Sequence, residues 1–158
     1  MIEEYLKAMI TGMDAKAECL DKLQEKTDIQ TELLKADNMD WDAFDALVDE
    51  KDALIDELDK LDDGFQSVFE RIKDEFIEHK ADYKSSVAKL QEQIRRVTAQ
   101  STSLMATEQR NKELAEKQFT NARKGIKQSR TTSKVAANYY ANMNQINYID
   151  PQLMDKKK

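Results

Sequence analysis

Of its 158 residues only 3 are glycine and 1 is proline, while 35% are charged and the mean hydropathy is −0.78. So few turn formers exclude a strand-rich fold, and no apolar run approaches the ~20 residues of a membrane span. The net charge of −6 conceals a division, with 24 acidic and 10 basic side chains in residues 1–80 against 7 and 15 in residues 81–158.

Apolar residues recur at three-and-four spacing, which predicts one all-α domain of long amphipathic helices. The first helix is predicted over residues 2–35, with Ile2, Leu6, Met9, Met13, Leu20, Leu23 and Leu34 in its stripe. Lys16, Thr27 and Gln30 occupy the missing places, and the methionines make the seam adaptable. Gly12, worse than alanine in a helix by about 1 kcal/mol, marks a bend or a close approach. The opening MIEEYLKAM carries acids where a secretory signal has bases. Cys19 is the only cysteine, so it forms no intramolecular disulfide and reads as an inert thiol in a reducing cytoplasm.

Ala36-Asp37-Asn38-Met39-Asp40 breaks the pattern, with Asn38 or Asp40 as the cap of a second helix over residues 41–78. A loop this short makes the two helices antiparallel neighbours. The second stripe, Trp41, Phe44, Val48, Ile55, Leu58, Phe65, Phe69, Ile72 and Phe76, is the strongest in the chain and is broken once, by Lys51. Asp62-Asp63-Gly64 is the better turn by composition. A turn at residues 79–83 instead gives three helices of comparable length and is preferred.

A third helix is predicted over residues 83–129, in heptad register through Tyr83, Val87, Leu90, Ile94, Val97, Ser101, Leu104, Glu108, Asn111, Ala115, Gln118, Ala122 and Ile126. Its seam turns polar after Leu104, so that stretch is either loosely packed or waiting for another chain. Its basic residues match the acidic second helix, which carries 15 acids and 4 bases between Asp40 and His79. That pairing explains the basic face more economically than nucleic-acid binding. The expected architecture is a coiled-coil-like bundle of three long antiparallel helices over residues 1–130, then a flexible polar tail over 131–158. The tail carries Tyr139, Tyr140 and Tyr148. It is either a disordered end or a segment that orders on a partner or folds back on the bundle.

No catalytic or cofactor motif emerges. His79 is the only histidine, with Glu75 four places before it where a diiron bundle needs paired Glu-x-x-His motifs. The Asp-rich run from Asn38 resembles an EF-hand only at its first places, with Ala43 in place of the loop glycine and Asp49 in place of its last ligand. No phosphate-binding or nucleophile-elbow glycine pattern occurs. The expectation is no enzyme, no metal and no cofactor.

The run Leu33-Leu34 … Asp40-Trp41, with Leu47, Glu50, Lys51, Leu54, Glu57, Leu58 and Leu61, resembles the FlgN-type flagellar export chaperones. Those have a helix ending in paired leucines, a short acidic turn, and a pattern close to L-x-x-E-K-x-x-L-x-x-E-L-x-x-L. Asn111 with Leu114, and the tyrosine-bearing tail, are also similar to that family. The tail departs from it in having no glycine after Gly125.

The resemblance implies a cytosolic chaperone that holds amphipathic terminal segments of hook-associated proteins and delivers them for type III export. Client contact is then expected at Leu104, Leu114, Phe119, Ile126, Tyr139, Tyr140 and Tyr148, with a client helix completing the half-polar seam. The partner would be protein, with a homodimer possible and neither nucleic acid nor membrane insertion involved. The alternative is a self-associating structural or adaptor coiled coil.

Overall fold

The computed structural model describes residues 2–125 and Tyr139, with side chains as far as Arg123. Three helices follow in order: α1 (Ile2–Lys35), α2 (Trp41–Glu78) and α3 (Lys84–Gly125), with a 3-10 turn over Lys80–Tyr83 between the last two. Asp40 caps α2 from an extended backbone, its carboxylate accepting the Ala43 N–H at 3.0 Å. Gly64 lies within α2; the chain turns instead at His79, whose N–H still closes on the Glu75 carbonyl at 3.0 Å. Ile126 and the tail beyond it, apart from Tyr139, lie outside the described residues.

The helices run up, down and up. Between α1 and α2 the partner numbers descend as α1 ascends: Lys16 with Asp62 at 2.8 Å, Cys19 with the Leu54 carbonyl at 3.3 Å, Lys26 with Glu50 at 2.6 Å. Between α1 and α3 they ascend together. Gln93 donates to the Ile10 carbonyl at 3.0 Å and to Asp14 at 2.7 Å. One heptad on, Gln100 repeats this with the Ala17 carbonyl at 3.1 Å and Asp21 at 2.7 Å. Asn111 reaches the Thr27 carbonyl at 3.0 Å, and Gln118 reaches the Leu34 and Ala36 carbonyls at 2.9 and 3.1 Å. Gln118 thereby satisfies carbonyls that the end of α1 leaves without intrahelical donors. This side-chain ladder fixes the register of the two parallel helices.

The core is the set of heptad positions. Ile2, Leu6, Met9, Met13, Leu20, Leu23 and Leu34 of α1 are buried against Phe44, Val48, Ile55, Leu58, Phe69, Ile72 and Phe76 of α2. Leu90, Ile94, Val97, Leu104 and Ala115 of α3 complete it. Each large aliphatic or aromatic side chain contributes roughly 1.5–3 kcal/mol by leaving water. Lys16, Thr27 and Gln30, the polar places in the first stripe, are buried too.

Two expectations are corrected. Gly12 makes no close approach: a Cβ there would meet nothing within 4 Å. The acid-on-base pairing of α2 with α3 also fails. α1 lies against both helices, while the backbones of α2 and α3 stay farther apart. Among the described ion pairs a single one joins α2 to α3, and its polarity is reversed, with Lys51 of α2 on Glu108 of α3. The bases Arg95, Arg110, Lys112 and Lys117 are exposed instead. Solvated charges so placed interact weakly across more than ~8 Å of saline, so the overall charge division does not set the pairing.

Candidate partner-binding surface

Polar places of all three seams meet in one layer: Thr27 and Gln30 of α1, Lys51 of α2 and Glu108 of α3. Lys51 has no exposed surface and Glu108 is 3% exposed. The lysine donates to Glu108 Oε2 and to Gln30 Oε1, each at 2.6 Å. Thr27 donates to the Leu23 carbonyl at 2.6 Å and lies 3.3 Å from Glu108 Oε2. Asn111 stands one turn along, accepting from Thr31 at 2.7 Å. Burial pushes the Lys51 ammonium down to about 8, against the opposing pull of Glu108. Buried polar groups at core heptad positions define register and partner at a cost in stability. Perturbed pairs of this kind also occur in active sites, yet a solvent-borne substrate reaches neither side chain here.

Tyr139 completes the layer. It is 2% exposed, its hydroxyl donates to Glu108 Oε2, and Lys51 Nζ sits 4.3 Å from its ring centroid. Of the residues expected to meet a client, Leu104 is also fully buried, at 0% exposure, because α1 and α2 close the seam around it. The half-polar stretch from Ser101 to Ala115 is therefore neither loose nor waiting: Ser101, Glu108, Asn111 and Ala115 are all buried. Ile126, Tyr140 and Tyr148 lie outside the described residues.

Beyond Ala115 the packing changes. No described residue of α3 after it is buried, and Leu114, Gln118 and Phe119 are half-exposed. Phe119 stacks on Trp41, with centroids 5.1 Å apart and planes at 19°. Trp41 in turn meets Phe44 edge-on at 6.1 Å. Leu33 and Met39 are half-exposed beside the same loop. An apolar end, walled by Leu33, Met39, Trp41, Leu114 and Phe119, thus remains partly open. In the sequence Trp41 stands in the second stripe and in the FlgN-like run, and nothing there links Lys51 to Glu108 except that every helix puts a polar residue in its core register.

The chain matches the family described as FlgN protein over residues 1–145. It belongs to the FlgN family. No curated protein and no solved structure matches it at a significant level. Membership implies a flagellar export chaperone role in general terms, with protein partners, and the family is not known as a catalytic one. Among the described residues no helix is long and apolar enough to cross a membrane, and no three His, Cys, Asp or Glu side chains are grouped to hold a metal ion. His79 is exposed, 3.6 Å from Glu78 and 3.7 Å from Asp82.

Proposed function

We propose that this FlgN-family chain is a cytoplasmic chaperone that holds amphipathic terminal segments of flagellar hook-associated proteins and delivers them to the type III export machinery. The observation that carries the reading is the family match itself, which runs through the bundle and on into the tail. The open apolar end supports it. An amphipathic helix laid along Leu114 and Phe119 would find half-exposed apolar surface there, in helix-in-groove fashion. Ile126, Tyr140 and Tyr148 would extend that contact. Leu104 and Tyr139 would join only after the bundle or the tail rearranges.

The test is titration of the full chain with C-terminal peptides of hook-associated proteins, followed by calorimetry. Micromolar or tighter binding that is lost on deleting residues 131–158, with helical far-UV circular dichroism intact, is the expected result. No binding by the full chain, combined with a salt-insensitive dimer in solution, would replace this reading with the structural coiled coil.

A further inference from the structure

We propose that Thr27, Gln30, Lys51 and Glu108 form a docking socket for a tyrosine side chain, and that Tyr139 of the same chain fills it. The contact latches the C-terminal segment onto the bundle until a partner takes the tail. The last clause rests on the chaperone reading; the socket does not.

The socket is contributed wholly by the three helices, with Thr27 and Gln30 from α1, Lys51 from α2 and Glu108 from α3. Lys51 and Glu108 neutralise each other at 2.6 Å, so the site favours a neutral guest. Its chemistry matches a phenol at two points. Glu108 Oε2 accepts the hydroxyl, and the Lys51 ammonium lies over the ring face, 4.3 Å from its centroid. Phenylalanine would keep the second contact and lose the first. Gln30 Nε2 and Glu108 Oε1 find no partner among the described residues, so the socket retains hydrogen-bonding capacity beyond what the helices use.

Tyr139 lies level with Glu108 and not past the end of α3 at Gly125, so the contact holds a distant point of the sequence against the middle of the bundle. One charge-assisted hydrogen bond and one buried cation–π contact favour the closed state by roughly a hundredfold. That is strong enough to dominate the resting chain and weak enough for a binding partner to reverse.

The test uses the full chain and trypsin, which needs an accessible, extended segment and finds Arg130 and Lys134 in the tail. Cleavage there is followed by intact mass, with hydrogen exchange on the three helices read in parallel. Tyr139→Phe is expected to be cut roughly tenfold faster than wild type while exchange in the helices stays unchanged. Glu108→Gln is expected to release the tail similarly. Glu108→Gln also breaks the Lys51 ion pair, so the cycle is read on the tyrosine step: made in the Glu108→Gln background, Tyr139→Phe should change cleavage little, because the charged acceptor has already gone. Equal cleavage in wild type and Tyr139→Phe overturns the socket, as does full additivity of the two changes. Client peptides then address the last clause: tighter binding by Tyr139→Phe supports the latch, and unchanged or weaker binding by a chain whose tail is released overturns it. Peptides that bind neither chain overturn the chaperone reading and this clause with it, while the cleavage result still decides the socket.

Discussion

Replacing Lys51 by methionine tests whether the buried layer is an ion pair held in a dry core. Lys51→Met keeps the volume and leaves the Glu108 carboxylate, 3% exposed, with only the Thr27 and Tyr139 hydroxyls to meet it. Removing one partner of a buried pair costs about 3–5 kcal/mol, a large share of the ~5–15 kcal/mol that holds a domain together. Lys51→Met/Glu108→Leu should recover most of that loss. An apolar replacement of a buried pair is often neutral or stabilising by about 1–4 kcal/mol, offset here by about 1–3 kcal/mol for the stranded Gln30 Oε1, which accepts from Lys51 at 2.6 Å. Urea unfolding at pH 7, followed by far-UV circular dichroism, measures all four corners of the cycle. The expected coupling is 3 kcal/mol or more, by the same reasoning. Single variants that each lose less than about 1 kcal/mol, or losses that simply add, would refute the dry pair.

The same cycle has a pH signature. The Lys51 ammonium falls from its ordinary 10.5 to about 8 in the folded chain, so between those values the unfolded chain holds the extra proton and stability rises with pH. Relative to Lys51→Met/Glu108→Leu, wild type should gain on the order of 3 kcal/mol across that window, and a flat difference would contradict the assignment. Burial, reinforced by the charge of Glu57, pushes the Cys19 thiol up to about 11. It should therefore resist a disulfide reagent at pH 8 until urea unfolds the chain, and rapid labelling of the native protein would count against its burial. Gly12→Ala and Gly64→Ala place a methyl in open space on helical backbone, and each should raise the unfolding free energy by up to about 1 kcal/mol, seen as a higher urea midpoint. A loss at either position would reveal a contact not seen here.

Periodicity made the fold legible. Every first-helix place from Ile2 to Leu34 in three-and-four spacing is buried, including Lys16, Thr27 and Gln30, because a stripe names a face whatever its chemistry. What a stripe does not name is the partner across the seam. Lys16 meets Asp62, and Gln30 meets Lys51 and through it Glu108, only once the register of three helices is set. Read singly, each polar residue looks like a defect in its own helix. The division of charge was the opposite kind of signal, conspicuous in the sequence and weak in the structure, since bases such as Arg95 and Arg110 simply face water. The placement of Tyr139 was out of reach for another reason: a stretch rich in Asn, Ser and Thr has no period from which to infer a face.

The filled middle of the seam moves the search for a client to the far end of α3. Leu104 and Asn111 are committed to the core, so the guest helix proposed above would meet half-exposed apolar surface from Leu114 to Phe119. That end carries its own reporter. Trp41 is the only tryptophan, half-exposed and stacked on Phe119 at 5.1 Å. A client helix packing there removes water from the indole, so its emission should shift to shorter wavelength and saturate with calorimetric binding. Phe119→Ala removes the stack, worth about 0.5–1.5 kcal/mol beyond its buried area, and should weaken binding by roughly tenfold while leaving the Tyr139 contact intact. Eleven positions separate Phe119 from Glu108, about 16 Å along the helix, so the two sites are separable by mutation. Binding that saturates in the calorimeter with the Trp41 spectrum unmoved would place the client elsewhere, on the tail alone.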